Sequence, residues 1–157
     1  MNISSVAGHL VGLGAGLYAG TKHALGAISE ATQLETRPFG IRVAIIEPGF
    51  FNTPILGKAT GAITLDPASP YYDAERRISA IYADGAAGGD PQEVAEAIEH
   101  AITTDSPKLR YLVGVTAKPF AEGRARVSDE EYMDFGREMS DEEFWAEFAR
   151  LFPMPTA

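Results

Sequence analysis

Cysteine is absent from the 157 residues, which excludes disulfides, thiolate metal sites and cysteine nucleophiles and fits a reducing, cytoplasmic setting. Basic side chains are scarce. Lys and Arg number 13 against 22 Asp and Glu, a net charge of −9. A surface of that sign repels phosphate backbones and anionic bilayers, so neither nucleic acid nor membrane is an expected partner. Long apolar runs are missing as well: the most apolar stretch, Leu10 to Ala19, is short and broken by glycines, too little to span a bilayer. No basic segment precedes an apolar run at Met1, as a secretory leader would require. The three histidines, His9, His23 and His100, share no ligand spacing, so no metal site is expected.

What remains is ordinary globular material. Hydrophobic residues make up 45% and charged ones 22%, a balance that argues against disorder. A chain of this length can bury roughly two thirds of its unfolded surface. Most of the negative charge lies in residues 119–157, which reads as a solvated, polar tail.

Met1 to Ser4 predicts the end of a strand, and Val6 to Gly16 a glycine-rich loop. Gly12, Gly14 and Gly16 imitate a dinucleotide fingerprint, but Leu17 stands where its last glycine belongs and Glu35 falls within a helix instead of at a strand end. Leu17, Ala24, Ile28, Ala31 and Leu34 recur at helical intervals and predict an amphipathic helix from Leu17 to Glu35, ended by Arg37-Pro-Phe-Gly40. Ile41 to Glu47 is a β-branched run suited to a strand covered on both faces. Strand, helix and strand make a βαβ unit, whose ligands bind beyond the carboxyl ends of its strands.

Residues 50–70 show no sustained period and predict a long mobile loop, in which Phe50 and Phe51, with Tyr71 and Tyr72, form either an apolar lid or plain packing. A helix is expected at 71–83, with Arg76 and Arg77 solvated. Asp90-Pro-Gln-Glu93 opens another helix with a cap and a first-turn proline, and Arg110 to Gly114 predicts a last short buried strand. Beyond Pro119, Ser128-Asp-Glu-Glu131 and Ser140-Asp-Glu-Glu143 each match a capping box. They give two short helices, whose Phe144, Trp145, Phe148 and Leu151 dock on this domain or on a neighbouring subunit.

Tyr18 and Lys22 lie four residues apart on the first helix, about 40° apart around its axis. An ammonium there stabilises a tyrosinate, which suits a phenol to proton transfer near neutral pH. Ser5 stands thirteen residues before Tyr18 in Asn2-Ile-Ser-Ser-Val-Ala-Gly8, and Pro48-Gly-Phe-Phe-Asn-Thr53 begins thirty residues after it. In this order and spacing the set N-x-S-S-x-x-G, Y-x-x-x-K and P-G-x-x-x-T resembles the second half of a short-chain dehydrogenase/reductase. The likeness runs over residues 2–118 and lapses beyond.

The resemblance implies a partial Rossmann-like, doubly wound α/β domain over residues 1–118, a parallel sheet with flanking helices, followed by an acidic helical tail at 119–157. It also implies an NAD(P)-dependent oxidoreductase that interconverts a small-molecule alcohol and a carbonyl. Tyr18 is then the general acid or base, Lys22 its activator and a donor to the nicotinamide ribose, and Ser5, rather than Ser4, the holder of the substrate oxygen. Tyr18, Lys22, Pro48, Gly49, Phe51 and Thr53 border the nicotinamide end of NAD or NADP. The family's glycine-rich turn, its cofactor-selecting residue and its Asn-Asn-Ala-Gly segment have no counterpart here. The pyrophosphate and adenosine site is therefore expected outside this chain, which reads as truncated at its N-terminus. A homo-oligomer is implied through the Leu17 to Leu34 helix; the alternative is a non-catalytic remnant serving as an oligomerisation module.

Overall fold

Three short stretches form a parallel sheet in the order β1 (Asn2–Ile3), β2 (Ile45–Pro48), β3 (Arg110–Val113). Asn2 pairs with Ile45 and Ile3 with Ile46, while β2 runs beside β3 from Ile45 opposite Arg110 to Pro48 opposite Val113. Parallel neighbours need crossovers. The first contains α1 (Gly16–Thr36); the second contains α2 (Pro54–Gly61), α3 (Tyr72–Gly85) and α4 (Gln92–Thr103), and α5 (Ala117–Ala125), α6 (Asp129–Asp134) and α7 (Asp141–Leu151) follow the sheet. This computed structural model describes residues 1–61, 63–85 and 88–155. Position 62, within the segment expected to be a loop, and positions 156 and 157 of the tail lie outside the described residues.

The chain thus forms the expected α/β arrangement, and β2 shows why it is wound on both faces. Successive side chains of a strand point to opposite sides. Ile46 packs with Phe51, Ala101 and Val113, with Val94, Ala97 and Ile98 of α4 beside them. Glu47, one residue on, turns the other way, to the side where Arg110 passes against Gly26 of α1. On α1 the buried positions are small, Ala19, Gly26 and Ser29, so the helix backbone lies close to the sheet. Ser29 Oγ accepts from Asn2 Nδ2 at 2.8 Å and donates to Leu25 O at 2.6 Å. The apolar stripe that marks this helix in the sequence faces outward: Leu17 is 92% exposed, Ile28 61% and Leu34 74%.

Several elements depart from expectation, each for a local reason. The strand expected from Ile41 begins only at Ile45. Arg42 instead reaches the carbonyls of Ile102 and Thr104 at the end of α4, and Val43 N–H donates to Gln33 Oε1 at 2.6 Å, so neither residue enters the ladder. The segment expected as a loop contains α2, which opens on Pro54, a residue at home in a first helical turn. β3 is an edge strand, not a buried one, and leaves Leu112 39% exposed. Phe51 belongs to the core and is no lid. Asp90 Oδ1 does hold the start of α4, accepting from Gln92 N–H at 2.9 Å.

The acidic tail is not a solvated appendage. Phe120, Ala121, Tyr132, Leu151 and Phe152 are buried together with Val6, and Leu10 and Phe50 pack against them. Phe144 and Leu151 dock within this chain at 3% and 2% exposure. Ser140 and Glu143 complete a capping box at α7, whereas at α6 the Ser128 side chain accepts from Glu131 N–H. Arg76 and Arg77, expected in solvent, tie α3 to α7. Arg76 Nη2 donates to both oxygens of Asp141 at 2.7 Å, and Arg77 Nε donates to Asp141 Oδ1 at 2.9 Å. Arg77 also donates to Met139 O at 2.7 Å and lies 4.8 Å over the Phe144 ring.

Candidate active site

The carboxyl ends of β1 and β2 bring the motif residues to one edge of the sheet. Directly after β1, Ser4 is buried and donates through Oγ to Lys22 O at 3.4 Å. Ser5, half-buried, caps a 3-10 turn over Val6–Gly8, its Oγ accepting from Ala7 N–H at 3.1 Å. Of the two serines, only Ser5 has its hydroxyl on the turn.

Tyr18 and Lys22 occupy successive turns of α1. The Lys22 ammonium donates to Ile3 O at 3.2 Å and stands 5.6 Å from the centre of the Tyr18 ring. It therefore joins the end of β1 to the tyrosine. Tyr18 is 45% exposed, and no described residue hydrogen-bonds its hydroxyl. A half-exposed phenol with an unused oxygen, beside an ammonium, is suited to meet a small molecule and exchange a proton with it.

After β2 the chain is packed tightly. Gly49 N–H donates to Val113 O at 3.0 Å, and a Cβ at Gly49 would collide with Thr116 Oγ1 and lie 2.8 Å from Ala117 N. Thr116 Oγ1 also accepts from Phe50 N–H at 2.8 Å. Phe51 points into the core and bridges Gly89, while half-buried Thr53 leads into α2. Pro48 to Thr53 thus border the same carboxyl edge as Ser5, with Phe51 turned inward. The Tyr18 hydroxyl and the Lys22 ammonium are donors of the kind that the polar end of a nicotinamide nucleoside accepts from.

Sequence reasoning missed a second polar assembly behind this edge. Glu47 is fully buried; its Oε2 lies 2.9 Å from His9 Nε2, and its Oε1 accepts from Arg110 Nη1. Arg110 also donates through Nη2 to Glu30 Oε1 at 2.7 Å. The chain Glu30, Arg110, Glu47, His9 runs from the surface of α1 to the turn that carries Ser5. A lone acid ending a β-branched run was the signal available, because a buried charge demands a partner. On the other flank, Tyr132 Oη donates to Val11 O at 2.9 Å, pinning the glycine-rich loop, and burial pushes its phenol up despite Arg124 at 4.7 Å over the ring.

A groove of about 410 Å³ lies elsewhere, lined among others by Val115, Lys118, Arg126 and Pro153. It includes none of the motif residues. Among the described residues no three His, Asp or Glu side chains converge as metal ligands would, and no helix is long and apolar enough to cross a membrane.

A parallel sheet with polar residues gathered at the carboxyl ends of its strands places the chain among the doubly wound α/β proteins that bind ligands there. Comparison with known proteins is more specific. Residues 1–63 match the short chain dehydrogenase family. Over 119 residues the chain is 40% identical to the uncharacterized oxidoreductase YusZ of Bacillus subtilis, covering 73% of this chain and 42% of that protein. It is 34% identical over 135 residues to retinol dehydrogenase 5 of Homo sapiens, covering 75% of this chain and 41% of that protein. The crystal structure of a short-chain dehydrogenase from Streptomyces avermitilis superposes with a TM-score of 0.62 at 36% identity, covering 88% of this chain and 51% of that one. The chain belongs to the short-chain dehydrogenase/reductase family. It spans about two fifths of the length of these curated relatives.

Proposed function

We propose that this chain carries the proton-transfer part of an NAD(P)-dependent oxidoreductase that interconverts a small-molecule alcohol and a carbonyl. The observation that supports it best is the unused hydroxyl of half-exposed Tyr18 beside the Lys22 ammonium. In carbonyl reduction Tyr18 Oη gives its proton to the substrate oxygen; in alcohol oxidation it takes that proton. Lys22 stabilises the phenolate left behind, and Ser5 Oγ donates to the substrate oxygen to hold it in place. A bound nicotinamide would supply or take up the hydride. Lys22, Pro48, Gly49, Thr53 and the Phe51 backbone would border it, with Tyr18.

Replacing Tyr18 by Phe removes one hydroxyl and keeps the ring. In a fusion that supplies the family's glycine-rich half, turnover of alcohols with NAD or NADP should fall by about 10²- to 10⁴-fold, the range of a general acid or base, while cofactor affinity measured by calorimetry stays within about twofold. Turnover in Tyr18→Phe equal to wild type in that fusion, or a wild type that stays inert in it, would overturn this function.

A second copy of the chain is the partner proposed for α1. Its outward stripe, Leu17, Ile28 and Leu34, is apolar and exposed, as the surface of a helix is when it packs on its counterpart.

A further inference from the structure

α3 brings a second tyrosine to the same edge. Tyr82 lies with its ring edge-on to Phe50, the centroids 6.0 Å apart and the planes at 81°. Phe50 immediately follows Gly49, and Phe120 closes its other contact at 5.7 Å and 90°. Its amide is fixed on Thr116, so the ring that Tyr82 rests against is held in place. α3 is fixed as well, through Arg76 and Arg77 on Asp141. Tyr82 is thus presented by a tethered helix against an immobilised aromatic wall.

Burial pushes the Tyr82 phenol up from its ordinary value, and Tyr18 pushes it further. Two phenols affect each other in this way only when they share a neighbourhood, because charge on one then opposes charge on the other. Tyr82 consequently keeps its proton at neutral pH. No described residue hydrogen-bonds the Tyr82 hydroxyl either. A neutral, half-buried donor without an acceptor among the described residues thus stands against Phe50, itself packed on Phe120, at the carboxyl edge that carries the candidate general acid.

We propose that Tyr82 is a specificity-determining residue: its ring and Phe50 receive the apolar body of the substrate, and its hydroxyl donates to a second oxygen of that substrate, remote from the one at Tyr18. The favoured class is an apolar alcohol or carbonyl compound with a further oxygen acceptor. A site built to hydrogen-bond such a group discriminates against analogues lacking it. This rests on the oxidoreductase function above.

Two measurements test it, the first on this chain and the second on the fusion described above. In the first, tyrosine labelled with ¹³C at Cζ is followed by NMR through the alkaline range, with Tyr82→Phe providing the assignment. In Tyr18→Phe the Tyr82 midpoint should move down toward that of an ordinary phenol. In the second, cycloalkanols with and without a ring-distal ketone are oxidised by the fusion that supplies the glycine-rich half, as wild type and as Tyr82→Phe, which keeps the ring on Phe50. KM should rise about three- to tenfold more for the keto-alcohols than for the plain ones, the worth of one neutral hydrogen bond. An unmoved Tyr82 midpoint, or an unchanged KM ratio in an active enzyme, overturns Tyr82 alone. A wild type that stays inert in that fusion overturns the function and this proposal with it.

Discussion

Gly123 lies where α5 passes beneath the end of α7, and a Cβ built on it would collide with the carbonyl of Leu151 and come within 2.7 Å of the Phe152 ring. Both neighbours are held: Leu151 and Phe152 are 2% exposed. Gly123→Ala should therefore cost about 1–3 kcal/mol as an overpacked core does, a drop in Tm on the order of 5 °C for a chain of this size. Gly12, with nothing within 4 Å of its would-be Cβ, is the control, and Gly12→Ala should stay within about 0.5 kcal/mol of wild type in the same thermal melts. An equal loss in both variants would show that close approach is not what Gly123 serves. The contrast was invisible in the sequence, where the two glycines look alike, because the partner of Gly123 is 28 residues away.

At the scale of elements, α7 is the clearest case of charge fastening a helix. Hydrogen bonds from Arg76 and Arg77 hold the Asp141 carboxyl below its ordinary range, the Ser140 cap does the same for Glu143, and Arg150 for Glu147. Each group binds its proton less readily folded than unfolded, so its stabilisation is complete above the ordinary carboxylate values and is lost as the pH falls through the lower folded ones. Amide exchange of α7 and of its anchor α3, corrected for intrinsic rates, should therefore accelerate below about pH 4. Asp141→Asn should show the same loosening of α3 at pH 7. Flat protection from about pH 6 to about pH 3 would refute the charge account. What was legible in the sequence follows the same division. The Ser140 box and the helical spacing of α1 depend on neighbours three or four residues apart, so they could be read directly. The fastening of α3 could not, since Arg76 and Asp141 meet across 65 positions. For the same reason the spacing of Ser5, Tyr18 and Lys22 could be read, whereas Glu47, Tyr82 and Tyr132 gain their surroundings only through the fold.

For the whole molecule, the distribution of apolar surface matters more than its amount. The sheet and the tail cluster account for most of the buried side chains, while Leu17, Ile28 and Leu34 remain outside on one helix. If a second copy covers them, sedimentation equilibrium should find a dimer, and Ile28→Glu should raise its dissociation constant at least about tenfold, because an acid would be trapped in an apolar seam. A wild type that stays monomeric at high concentration would remove that role from α1. Glu47 acts on the molecule in another way. Its partners His9 and Arg110 lie on one face of β2, and Ala101 and Val113 lie on the other. A slip of one residue during sheet formation would send the carboxylate into the apolar layer and strand Arg110, at about 3–5 kcal/mol for a broken buried pair. The acid is therefore a checksum on strand alignment, rejecting misthreaded sheets before any ligand arrives.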